Sequence, residues 1–401
     1  MFDKFKTQEI WQRNLKVLWF GTFMTGIGSS LIAPFISLYI ATLGNYSHAE
    51  LNLWSGVVFS STFVVLAIVS PLWGRLADKK GRRLMLLRAS MGMAVTIFLM
   101  GFVTNTWQLL FLRILMGGFS GFISNSIALM ASSTPKEKSG AVLSKLTTGS
   151  VAGMLIGPVV GGFIVNMVGY RFVFVITGIT MLMVFFLTLF LVKEDFKPIT
   201  GTIALGLKDV FKVIPKPAII WGMLFTTLIT QMTNQSINPI LSLYVRELMG
   251  HNANHITTVA GIVAAAPGIV TLIVAPRLGI LGDKIGQKKV LGAGLVFSLI
   301  VFLLTFSVAS IPLLIVMRLL IGVSDSAILP SVQAILAKEI PKEVTGRVFS
   351  YNQSAQSIGA FTGPLIGSSI AAFIDYRFVF IGCAILVVLN LINFKTHTKN
   401  L

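Results

Sequence analysis

The chain is written twice. Gly74-Arg75-Leu76-Ala77-Asp78-Lys79-Lys80-Gly81-Arg82-Arg83 returns as Gly279-Ile280-Leu281-Gly282-Asp283-Lys284-Ile285-Gly286-Gln287-Lys288, 205 positions later. The same offset carries Pro34-Phe35-Ile36-Ser37-Leu38-Tyr39 onto Pro239-Ile240-Leu241-Ser242-Leu243-Tyr244 and Arg113 onto Arg318. One residue further on, Pro135-Lys136-Glu137 maps onto Pro341-Lys342-Glu343, Gly157-Pro158 onto Gly363-Pro364, and Tyr170-Arg171-Phe172 onto Tyr376-Arg377-Phe378. Matches in one order at one spacing restrict the fold to two like units, related by an approximate symmetry axis.

Each unit must live in lipid. Hydrophobic residues make up 55% of the chain and charged ones 11%, where a soluble domain carries about a quarter charged. A crossing takes about 20 apolar residues. Twelve such runs are read, near 17–43, 52–75, 84–103, 106–130, 142–168, 170–192, 217–245, 256–280, 289–308, 310–334, 347–373 and 377–394. The expected fold is an all-α integral membrane protein of twelve transmembrane helices in two six-helix, pseudo-symmetric halves. The N-terminal bundle is placed at 1–195, a linker at 196–216 and the C-terminal bundle at 217–401. The linker is the one long charged segment, and Pro198, Gly201 and Pro215 make it flexible.

A net charge of +18 would suggest nucleic acid in a soluble protein. Here the basic residues are segregated. Of 32 lysines and arginines, 27 fall on one side of the twelve runs, three on the other (Arg171, Arg246, Arg377) and two within them (Arg113, Arg318). That bias puts both termini in the cytoplasm, removes nucleic acid as a partner, and leaves the lipid bilayer as the main one. The basic start followed by an apolar run to about Leu43 is too long for a cleaved leader and reads as the first span. One cysteine, Cys383, allows no internal disulfide. His251 and His255 have a metal-like spacing in a short polar loop, which reads as solvated rather than as a metal site.

The loop Gly74-x-Leu76-Ala77-Asp78-x-x-Gly81-Arg82-Arg83, with its weaker copy around Gly279 and Asp283, resembles the signature loop of the major facilitator superfamily. In span five, Gly149, Gly153, Gly157 and Gly161 recur every four residues with Pro158 and Gly162 beside them. Residues four apart share a helix face, so this is a groove without side chains that admits a neighbouring helix. The pattern is similar to the antiporter motif of drug exporters in that superfamily. Arg113 resembles the family's span-four arginine, although Met116 stands where glutamine is usual. The likeness covers essentially the whole chain and is nearest to the twelve-span drug:proton antiporters of Gram-positive cocci. It implies a bacterial cell-membrane protein, export, and a conformational role for the signature loop. Either Arg113 faces protein or water, or it snorkels to the surface.

No Ser/His/Asp or Cys/His constellation and no phosphate-binding loop is present, so neither enzyme chemistry nor a cofactor is expected, and ATP is not the direct energy source. An ion gradient remains. Proton coupling needs a carboxyl group that loads from one side and releases to the other. Asp325, in span ten, is the one acid placed deep in the membrane, and its repeat counterpart is Ser120. Arg318, two turns earlier, would tune it. Asp325 has three open roles: proton carrier, contact for a cationic substrate, or structural group. Gln231, Asn234, Gln235 and Asn238 form a polar stripe on span seven, at i, i+3, i+4 and i+7. With Ser29, Phe23, Phe35 and Tyr39 of span one and Asn352 and Gln356 of span eleven, they are expected to wall a cavity for small lipophilic substrates. The competing reading is export of a defined metabolite such as a sugar or siderophore. A receptor that merely retains the fold fits less well, for want of a soluble signalling domain. Each chain carries both halves, so a monomer suffices.

Overall fold

The computed structural model describes residues 10–196, 214–250, 255–341 and 344–398, excluding the side chains at 78, 136, 137, 345 and 346. Helix is the only repeating structure among them. Lipid offers a free amide or carbonyl no partner, and a helix satisfies its own. The expected linker at 196–216 lies mostly outside the described residues.

Span one comprises Ile10–Ser30, a 3-10 turn at Ala33–Phe35 and Ile36–Ala41, and span seven comprises Pro217–Ile237 and Leu241–Met249. Both are interrupted at repeat partners, Pro34 and Pro239, because proline removes a donor and crowds the preceding turn. Spans two and three are His48–Lys80 and Arg82–Met100. They join at Gly81 (φ 93°), and spans eight and nine (Ile256–Ile285, Gln287–Phe306) join at Gly286 (φ 99°). That backbone region is strained for any residue with a β-carbon, which accounts for the repeated glycine. Span four breaks into Thr106–Phe119 and Phe122–Ser133, around Gly121 at φ 119°. Spans five and six run through Lys136–Leu191 with a sharp bend at Gly169 (φ 82°). Spans ten, eleven and twelve are Ile311–Glu339, Thr345–Phe373 and Tyr376–His397.

Among the described residues, nine helices are long and apolar enough to cross a bilayer, the longest being Lys138–Leu191, which makes two crossings about Gly169. Spans seven and eleven fall outside that set. Their threonines, asparagines and glutamines would be penalised in lipid, so these two helices belong in the interior.

The repeat is kept in three dimensions. Tyr39 donates to the Met100 carbonyl at 2.8 Å, and its copy Tyr244 to that of Val308 at 3.0 Å. Ser37 and Ser242, also copies, meet each other at 3.0 Å, which places them on the axis relating the halves. Around them the halves are joined at the end opposite the basic loops. Asn52 donates to the Tyr376 hydroxyl at 3.3 Å, Ser60 to the Phe361 carbonyl at 2.8 Å and Thr257 to the Gly162 carbonyl at 3.0 Å. Among the described residues these bonds close the molecule at the face opposite the basic loops.

Candidate functional site

Asp325 lies half-buried in the middle of span ten and accepts a hydrogen bond from Asn234 Nδ2 of span seven at 3.0 Å. Arg318 is buried on the same helix, but its Nε turns to the Val263 carbonyl at 3.4 Å rather than pairing with the carboxylate. Arg113 is likewise buried in the other half, with Nε unpartnered among the described residues. Its backbone carbonyl accepts from Thr62 at 3.1 Å. The structure therefore brings Asp325 to the polar face of span seven and keeps both arginines out of ion-pair contact with it.

The polar stripe is real but not uniform. Gln231, Asn234, Gln235 and Asn238 are all half-buried, and Asn238 donates to Gln235 where the helix ends before Pro239. Gln356 is half-buried too. Asn352 departs from its expected place on the cavity wall. It is buried and accepts from Thr227 at 2.7 Å, tying span seven to span eleven. Ser29 is exposed, with its hydroxyl turned back onto its own helix at Thr25 (2.8 Å) and Gly26 (3.1 Å). Phe23, half-buried, stacks on Trp19 with ring centroids 5.6 Å apart.

Phe35 and Tyr39 correct the sequence reading. Both are 1% exposed and belong to the packed core of the closed end, not to a cavity wall. The Pro34 break turns Ile36–Ala41 into that core, where Tyr39 lies against Phe174 (4.9 Å) and Tyr170 (6.0 Å). Its hydroxyl still needs an acceptor there and finds the Met100 carbonyl.

The span-five glycines act as the spacing suggests, and in both halves. A β-carbon on Gly153, Gly157 or Gly161 would strike span one at the Phe23 carbonyl, the Ser30 hydroxyl or the Leu31 carbonyl. On Gly149 it would lie 2.7 Å from the Trp19 carbonyl. Gly359, Gly363 and Gly367 press in the same way on the Leu228, Met232 and Ser236 carbonyls of span seven. The remainder of the motif has another neighbour. Gly162 abuts the Thr257 carbonyl and the Pro158 carbonyl abuts Gly261, so Pro158 and Gly162 sit where span five meets span eight across the two halves.

At the signature loop, the first two backbone amides of span three, Arg82 and Arg83, donate to the two carboxylate oxygens of Glu194, at 2.9 and 2.8 Å. Arg83 also reaches the Leu189 carbonyl at 2.7 Å. A carboxylate at a helix start satisfies orphan amides and complements the helix dipole. Sequence reasoning missed Glu194, because nothing local in a charged loop announces a partner more than 100 residues away. The Asp78 side chain lies outside the described residues. Asp283 is exposed and accepts from Gln287 at 3.0 Å.

Arg88 is a second residue that the sequence reading does not single out. It is helical, lies 3.8 Å above the Trp73 ring, and donates to the Phe119 and Ser120 carbonyls at 3.2 and 2.9 Å. Span four breaks at that point, so Arg88 occupies acceptors that a continuous helix would have used itself. His251 lies outside the described residues, and His255 contacts Asn166 Nδ2.

The sequence pattern of the Major Facilitator Superfamily matches residues 18–259 and 223–398. The chain is 45% identical over 381 residues to Multidrug resistance protein MdtG of Escherichia coli O17:K52:H18, covering 95% of this chain and 93% of the relative. Two solved structures share its fold at low identity. One is a bacterial homologue of the human lysosomal transporter Spinster, in an inward-facing and occupied conformation (TM-score 0.77, 12% identity, 98% of each chain). The other is the nucleoside transporter NupG (TM-score 0.73, 15% identity, 98% of this chain and 100% of that one).

Proposed function

This chain belongs to the Major Facilitator Superfamily, and on that premise we propose that it is a proton-coupled exporter of lipophilic drugs, working by alternating access between two halves. It is a membrane transporter, not an enzyme. The likeness to the MdtG proteins supports drugs as cargo. The observation that carries the proton is Asp325: a half-buried carboxylate in mid-span, facing the polar stripe of span seven, at a position where the other half has serine.

Both termini and the basic loops face the cytoplasm in this reading, which puts the joined end on the outer side and makes the state inward-facing. Drug enters from the cytoplasm or inner leaflet and lies against Gln231, Asn234, Gln235, Gln356 and Phe23. Rocking of residues 1–195 against 217–401 about the Ser37–Ser242 axis then opens the other face. There a proton taken up on Asp325 resets the cycle. The glycine faces of spans five and eleven keep each half rigid during the swing. Arg113 and Arg318 bias the interior against a second unpaired cation. One chain supplies the whole path and works as a monomer.

The test uses inside-out membrane vesicles with an acidic interior, following accumulation of a lipophilic fluorescent dye. Wild type accumulates dye only while the gradient stands, and Asp325→Asn loses at least about tenfold of that uptake. Equal uptake by the two would remove Asp325 from the proton path. Competition confined to one chemical class, such as sugars, would favour the specific-metabolite exporter.

A further inference from the structure

The two halves of this chain are built to one plan, so a place where they differ chemically is a place the plan alone does not require. Several interior features recur at or near the repeat offset: the Tyr39 and Tyr244 hydroxyl bonds, the buried Arg113 and Arg318, the glycines of spans five and eleven. The contact between Asn234 and Asp325 does not. The copy of Asn234 is Ser29 and the copy of Asp325 is Ser120. Each serine hydroxyl bonds within its own helix, Ser29 to Thr25 and Gly26, Ser120 to Met116 at 2.8 Å. Two positions 91 residues apart have thus both departed from their copies, and the departed residues touch each other.

Their chemistry makes the contact a reader of charge. An ionised carboxylate only accepts, so the edge of Asn234 facing it must be the NH2, and its carbonyl is left for the cavity. Such a bond to a charged acceptor is roughly twice as strong as a neutral one. Protonation of Asp325 removes the charge and adds an O–H that itself needs an acceptor. Asn234 offers one only by turning its amide over, which presents NH2 to the cavity instead. The neighbours leave this signal unobscured. Arg318 on the same helix and Cys383 on span twelve are the titratable groups facing the region, and Cys383 Sγ is held by the Thr233 carbonyl at 3.7 Å. Spans seven, eight and eleven present amides, hydroxyls and apolar groups here.

We infer that Asn234 is the positioning residue that transmits the protonation of Asp325 to the substrate wall of span seven. Proton and substrate then compete through one amide, not through direct contact of substrate with the acid. The segment that receives the signal is the last turn before the Pro239 break, where Gln235 and Asn238 already bond to each other. This inference rests on the reading of Asp325 as proton carrier.

Two readouts, neither of which needs a substrate, separate the two ideas. Purified protein in lipid is titrated from acid to alkaline pH by infrared difference spectroscopy, and the carboxylic-acid band that Asp325→Asn removes is followed. In parallel, a bimane fluorophore on Gln231→Cys reports the environment of span seven. Wild type titrates both signals at one midpoint, and Asp325→Asn abolishes both. Asn234→Ala keeps the carboxyl band, moves its midpoint about one pH unit toward alkaline by losing a donor to the ionised form, and cuts the fluorophore response at least about fivefold. Asn234→Gln restores the response to within about twofold. An unchanged midpoint and fluorophore response in Asn234→Ala would overturn the inference while leaving Asp325 as carrier. A titrating band that survives in Asp325→Asn would overturn the reading beneath it. If the alanine variant does not fold, Asn234→Ser, which installs the residue of the other half, decides by the same two signals.

Discussion

A hydroxyl and a carbonyl settle what Tyr39 does. The ring is packed on all sides at the closed end and its oxygen donates to Met100. Tyr39→Phe should therefore cost about 1 kcal/mol of stability, the net worth of a buried hydrogen bond, plus whatever the orphaned carbonyl adds. Drug affinity should not change. A thermal-shift assay beside a dye-binding titration distinguishes this from a cavity residue, for which affinity would fall and melting would not. The sequence named Tyr39 as cavity wall because an aromatic near polar residues on span one reads the same from inside a cleft or inside a core. Which of the two it is depends on the direction of the chain after Pro34. Asp325, by contrast, was legible: an acid in an apolar run is rare enough to be read alone. Its partner Asn234 was legible as polar, though not as the donor to that acid.

Helices one and five approach backbone to backbone because four glycines, each four residues apart, leave no side chain between them. Gly157→Leu must push the helices apart against the Ser30 hydroxyl and the Ile27 carbonyl, the latter 3.0 Å from even a β-carbon. The expected result is a lower melting temperature and loss of gradient-driven dye uptake. Met154→Leu, on the exposed side of the same helix, should leave both within experimental scatter. This element was readable from spacing alone. The break in span four was not, since Ser120-Gly121 inside an apolar run carries no signal as strong as proline. Arg88, which serves that break, has no local signal that sets it apart from the other basic residues near it. Spans seven and eleven were readable as interior for the opposite reason, because their polar content is what lipid refuses.

For the molecule as a whole, closure at one end is the property that alternating access must undo. Ser37 and Ser242 face each other across the axis at 3.0 Å, close enough for the paired cysteines Ser37→Cys and Ser242→Cys to form a disulfide with small adjustment. Oxidation should lock the closed end and stop dye transport, and a reductant should restore it. Unaltered transport in a fully cross-linked protein would rule out separation of the halves at that point.

The central claim is exchange of drug for proton through Asp325. It is tested most directly in liposomes holding the purified protein and a trapped pH-sensitive dye. Drug added on one side should drive protons the other way in wild type, and Asp325→Asn should show no proton movement. Drug flux without countermoving protons, or equal proton movement in the two proteins, would contradict the account.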